Sequence, residues 1–143
     1  VAAMELDLSS LASVLGFARR FQHQHEALDG LVLNAGVMMC PFALTKDGLE
    51  MQIGTNHFGH QLLTMELQQP LERAVAARGV ATVTSVSSAA HYSSYEGGIL
   101  PSVGAMIDET SYNRVKAYGQ SKLANVLFAQ ELAKRWKSKG ILV

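Results

Sequence analysis

Short apolar runs alternate along this chain with longer segments of helical periodicity, and that alternation restricts the fold more than any other feature. Leu31-Val32-Leu33 is wholly apolar, Val80 to Val86 again has a high apolar content, and Ile141-Leu142-Val143 reads as the start of another strand. A wholly apolar strand is the kind buried on both faces of a parallel sheet. Leu11, Val14, Leu15, Ala18 and Phe21 recur at three- and four-residue intervals, as along one face of a helix. Strands alternating with helices predict an α/β fold whose strand-end loops gather on one edge. In open sheets of this type ligands bind at that edge.

Local signals set the expected boundaries. Ala2 to Leu8 is strand-like, with Met4, Leu6 and Leu8 on one face, and Ser9 or Ser10 caps the helix after it. Asn34-Ala35-Gly36 ends the next strand in a turn. Asp47-Gly48-Leu49-Glu50 has capping-box form, so a long helix is expected from there to about Gln68, broken near Pro70. The last helix is expected over Val115 to Lys139, with Leu123, Val126, Leu127 and Leu132 inward and Gly140 as its stop. Ser87 to Asn113 is rich in Ser and Gly, yet Tyr95, Ile99, Leu100, Val103, Met106 and Ile107 make it too apolar for a solvated linker. A long insertion at a strand end is more often a binding loop than an idle one.

Composition removes several function classes. The 143 residues have the length of one domain, 48% are hydrophobic, and 12 basic side chains balance 12 acidic ones. Without a charge run, no nucleic-acid partner is expected. No apolar stretch approaches the roughly 20 residues of a membrane span. The one cysteine, Cys40, excludes an internal disulfide and fits a reducing compartment. The chain starts at Val1 rather than Met and ends on strand-like residues, so an internal piece of a longer protein is expected. A cytoplasmic or membrane-associated setting both stay open, because a membrane anchor could precede Val1.

Four features carry chemistry. Tyr118-Gly119-Gln120-Ser121-Lys122 sets a phenol and an ammonium four residues apart, on one face of a helix. A nearby cation favours a phenolate, which makes such a phenol usable as an acid or base. Ser87-Ser88 ends an apolar strand, where a hydroxyl can hydrogen-bond a substrate oxygen as charge develops on it. At Asn34-Ala35-Gly36, small side chains let a ligand lie against the backbone. Asn56 is an amide inside a helix, where propensity disfavours it. Each has a plain structural alternative: a solvated Lys beside a half-buried Tyr, a capping serine, an ordinary turn, an exposed helix Asn. His57, His60 and His91 show no ligand spacing and read as packing, so no metal is expected.

Together, Asp7, Asn34-Ala35-Gly36, Thr55-Asn56-His57-Phe58-Gly59-His60, Val86-Ser87-Ser88 and Tyr118-Gly119-Gln120-Ser121-Lys122 follow the order and approximate spacing of the short-chain dehydrogenase/reductases. Leu44 to Glu50 and Ser121-Lys122-Leu123-Ala124-Asn125 resemble the retinol-dehydrogenase-like branch, which includes the oxidoreductase domain of WW-domain-containing oxidoreductase. The resemblance implies a Rossmann-like, doubly wound parallel sheet and an NAD(P)-dependent oxidoreductase acting on alcohols or carbonyls. It makes residues 1–143 a partial domain. Tyr118 is then the general acid/base and Lys122 its cationic partner, which also holds the nicotinamide ribose. Ser88 orients the substrate oxygen, and Asn56 positions a relaying water. Asp7 with Leu8 lies near the adenine, and Asn34, Ala35 and Gly36 flank the adenosine side of the cofactor. NADP is favoured over NAD.

Measured against that family, the Gly-rich phosphate turn is expected before Asp7 and a Pro-Gly segment after Val143. Val1 to Leu6 corresponds to the third strand of a 3-2-1-4-5-6 sheet, so the first two strands and the C-terminal part are absent. The 143 residues alone are therefore expected to be inactive. The long Ser88-to-Tyr118 interval points to a bulky apolar substrate, such as a retinoid, steroid or lipid aldehyde, with Tyr92 through Ile107 as one wall. A homo-oligomer through the two long helices is expected by resemblance. The alternative is a non-catalytic interaction or regulatory module with the same fold.

Overall fold

The computed structural model describes residues 2–143; Val1, the first residue of the expected opening strand, lies outside the described residues. Three strands, β1 (Gly30–Leu33), β2 (Ala81–Ser85) and β3 (Ile141–Leu142), form a parallel sheet in the order β1-β2-β3. Gly30 pairs with Thr82 and Leu33 with Ser85, while Ala81 pairs with Ile141. This adjacency is that of strands four, five and six of the order expected above.

Helix α1 (Leu11–Gln24) is capped by Ser10, whose Oγ accepts the Ser13 N–H. Helices α2 (Met51–Ile53) and α3 (Gly59–Glu66) are joined by a π-helical turn over Gly54–Phe58. Helix α4 (Gln68–Arg78) precedes β2, α5 (Val103–Met106) is a single turn in the insertion, and α6 (Arg114–Trp136) leads through a 3-10 turn to β3.

Alternation along the sheet shows which face is covered. Leu33, Ala81, Val83 and Ile141 are buried, whereas Val32, Thr82, Thr84 and Leu142 are exposed. Successive strand side chains point to opposite faces. Helices α4 and α6 both pack on the buried side, and the core there includes Leu63, Leu67, Leu71, Leu132 and Trp136. The expectation that Leu31 to Leu33 is buried on both faces is thus corrected. Val32 is 66% exposed, because no described element covers its side of the sheet.

Other expectations are corrected as well. Residues 2–6 form no strand, because no partner edge offers them hydrogen bonds. Asp47 does not cap the central helix; Glu50 does, accepting the Gln52 and Ile53 N–H groups, while Asp47 Oδ2 accepts the Leu11 N–H at the start of α1. Pro70 does not break a helix but sits in the first turn of α4, where its missing N–H has no intrahelical acceptor to satisfy. Leu127 is 48% exposed rather than inward, while Leu132 is buried as expected. No helix among the described residues is long and apolar enough to cross a membrane.

Candidate active site

The loops after β1 and β2 meet α6 around a cavity of about 180 Å³ lined by Asn34, Gly36, Val37, Met38, Val86, Ser87, Tyr118 and Lys122. Asn113 starts α6 by accepting the Val115 and Lys116 N–H groups. One turn further, Gly119 faces the segment that follows β2. A Cβ there would lie 2.6 Å from the Ala90 carbonyl oxygen and 2.7 Å from that of Ser93. Only a glycine lets this helix approach that closely.

Lys122 is 5% exposed, and its Nζ donates to the Val86 carbonyl at 3.1 Å. The same ammonium stands 5.8 Å from the centroid of the Tyr118 ring. Burial pushes the Lys122 ammonium below its ordinary range, since desolvation disfavours the charged form. Ser87 Oγ donates to the Lys122 carbonyl at 2.8 Å, fastening α6 to the end of β2. Ser88 caps the 3-10 turn Ala89–Ser93, its Oγ accepting the Ala90 N–H. That leaves its hydroxyl hydrogen for another acceptor.

Asn56 is fully buried in the π-helical turn. Its Oδ1 accepts the Val37 N–H at 2.8 Å, and its Nδ2 donates to the Val37 carbonyl at 2.8 Å and to Ser121 Oγ at 2.9 Å. A Cβ at Gly36 would come within 2.7 Å of Asn56 Oδ1, so the small residue there serves the amide contact first. The unfavourable helix position of Asn56 is thus compensated by three tertiary bonds.

Asp7 and Leu8 lie apart from this cavity's lining. Asp7 Oδ1 accepts from Ser9, and Oδ2 pairs with Lys46 Nζ at 2.9 Å. The hydrogen bond from Lys46, followed by those from Ser9, holds the Asp7 carboxyl at about 2. The backbone of Leu8 rests directly on Gly59, where a side chain would strike its carbonyl. The insertion does not line the Tyr118 cavity either. Ile99 and Met106 instead border an outer groove with Ile53, His57, Leu127 and Phe128. His57 packs edge-on against Phe128, His60 Nδ1 meets the Asn56 carbonyl, and His91 Nδ1 meets that of Ser88. Carbonyls only accept, so both of these Nδ1 atoms carry the hydrogen. Among the described residues no group of three His, Cys, Asp or Glu side chains is placed to hold a metal.

Three contributors escaped the sequence reading. Ser121 was visible only as a filler of the Tyr–Lys motif, Gly119 as its neighbour, and Val37 acts through backbone atoms that no side-chain pattern reports.

No family model matches the chain. Human retinol dehydrogenase 11 is 44% identical over 141 residues, covering 99% of this chain and 42% of that protein. The short-chain dehydrogenase TIC 32 A of Brassica napus is 40% identical over 139 residues, covering 96% of this chain and 43% of that protein. Among solved structures, a protein of Mycobacterium paratuberculosis superposes with a TM-score of 0.76 at 40% identity, over 97% of this chain and 46% of that one. The Pseudomonas aeruginosa RhlG/NADP complex gives 0.71 at 27% identity, over 97% and 49%. The chain therefore spans less than half the length of these relatives.

Proposed function

We propose that this chain, which belongs to the short-chain dehydrogenase/reductase family, supplies the proton-transfer groups of an NAD(P)-dependent oxidoreductase acting on alcohols or carbonyls. The observation that carries the reading is the buried Lys122 ammonium held beside Tyr118 at the mouth of the strand-end cavity. The ammonium, 5.8 Å from the centre of the Tyr118 ring, lies on the helix face that a phenol working as acid or base would use. Tyr118 then takes the proton of an alcohol, or gives one to a carbonyl oxygen. Ser88 donates its remaining hydroxyl hydrogen to the same substrate oxygen. Asn56 acts by bracing Val37, with one Oδ1 lone pair left for a relaying water.

The residues present fit a nicotinamide dinucleotide. Lys122 uses one of its three N–H groups on Val86, which leaves two for ribose hydroxyls. Asn34, Ala35 and Gly36 are exposed at the strand end and offer backbone for close approach. Asp7 Oδ2 keeps a lone pair beyond its Lys46 bond, which suits an adenine amino group beside Leu8. When bound, the cofactor supplies or accepts the hydride. NADP is the favoured form, because RhlG, the relative at 27% identity, is named as an NADP complex. Bulky apolar substrates of retinoid, steroid or lipid-aldehyde type are favoured by the retinol dehydrogenases at 44% identity.

The test is Tyr118→Phe in the full-length protein, with hydride transfer followed by nicotinamide absorbance. Turnover should drop by about 10³-fold, within the range of general acid–base catalysis, while the urea midpoint holds. Undiminished turnover would refute the assignment.

A further inference from the structure

The loop that follows β1 is gripped at four backbone atoms, and only two of those bonds come from Asn56. Gln52, one turn earlier on the same stretch of helix, is completely buried. Its Oε1 accepts the Met39 N–H at 2.7 Å. Its Nε2 donates to Tyr112 Oη at 2.7 Å and to the Arg114 carbonyl at 2.9 Å. Tyr112 in turn donates to the Cys40 carbonyl at 2.9 Å. Met39 has φ of 52°, the one non-glycine residue in the left-handed region among the described residues. A side chain is held in that region only where its surroundings fix it. Glu50, also buried, secures the N–H groups of Gln52 and Ile53 and so holds Gln52 in place.

We propose that Gln52 is a positioning residue. With Tyr112 it locks Met38 to Cys40 against the first turn of the helix that carries Tyr118, and so sets the substrate-side wall of the cavity. This rests on the redox reading given above. Two helix amides divide the loop between them. Asn56 fixes Val37, next to the Asn34–Gly36 backbone offered to the cofactor. Gln52 fixes Met39, next to Met38, whose 61% exposed side chain lines the cavity. Because Gln52 binds the loop and Arg114 at once, a shift of the wall is coupled to a shift of α6. Among the described residues, Gln52 is the one side chain whose hydrogen bonds reach both this loop and the first residue of α6.

The test uses Gln52→Met and, independently, Tyr112→Phe, which keeps the ring packed on Phe42 should the first variant fold poorly. In the full-length protein, amide exchange over 38–40 should accelerate at least tenfold in both, while β2 amides stay protected. The KM for alcohol or carbonyl should rise about tenfold with the cofactor Kd within twofold. Loop exchange no faster than in the unsubstituted protein, or KM and cofactor Kd rising together, overturns the proposal. A wild-type protein that transfers no hydride would sink the redox reading alone, and the exchange result would then decide the clamp by itself.

Discussion

Two neighbouring regions of the molecule are built on opposite principles. Along α6, Ala117, Gly119, Gln120, Ser121 and Lys122 are all buried, and their polar groups have partners: Leu100 for Gln120, Asn56 and the Tyr118 carbonyl for Ser121, and the Val86 carbonyl for Lys122. From Ala89 to Lys116 no residue is buried, although Tyr92, Ile99, Val103 and Met106 are as apolar as many core residues. Hydrophobicity alone therefore did not decide which region is buried. Each buried polar group along α6 has found a partner, and a partner of fixed geometry constrains the backbone that carries it. Among the described residues no buried side-chain nitrogen or oxygen lacks a hydrogen bond. The insertion packs through Gly98 on Leu123 and through Leu100, whose N–H donates to Gln120 at 2.8 Å.

The largest test of this contrast is Gly119→Val. Two carbonyls within 2.7 Å of a Cβ cannot both be avoided without moving α6 or the Ser88 turn. The variant should lose about 3 kcal/mol in urea unfolding, at the upper end of overpacking costs. Asn56→Ala should cost about 2 kcal/mol, because it leaves both polar atoms of Val37 unsatisfied. A loss no greater than that of an exposed helix substitution would mean that the loop is held by other contacts.

Acid should weaken the buried side next. Desolvation pushes His57 and His60 below their ordinary 6.5, so the folded chain disfavours their protonation. Unfolded, both bind protons more readily. Their contribution is full above about pH 6.5 and declines as pH falls from there toward the lowered folded values. His60→Gln should flatten that part of a stability-against-pH curve.

Replacing residues 94–107 by a short Gly-Ser link should matter least to stability, costing about 1 kcal/mol, chiefly because the buried Gln120 loses its partner at Leu100. The same variant sharpens the substrate question. In the full-length enzyme the preference for bulky over small alcohols should fall, and an unchanged preference would assign substrate size to other walls.

Much of this was legible from residues alone. The parallel strands after Asp29 and after Val80, the Ser10 cap and the Tyr118–Lys122 face follow from periodicity and spacing that act over one or two helical turns. What misled the reading was competition between equally good local signals. Asp47 and Glu50 both make helix caps, and only the packing of α1 beside that loop draws Asp47 to Leu11 instead. Leu31 to Leu33 reads as doubly buried, yet burial depends on what lies over the sheet.

The chain by itself determined the alternation of strand and helix, the order of its motifs and the placing of a phenol and an ammonium on one helical face. These are short-range consequences of backbone geometry. Only the tertiary structure decided that Asn56 and Gln52 would grip a loop 19 and 13 residues before them, and that Gly119 would admit the Ser88 turn. Such contacts join distant segments through backbone atoms, which every residue possesses and no sequence pattern distinguishes.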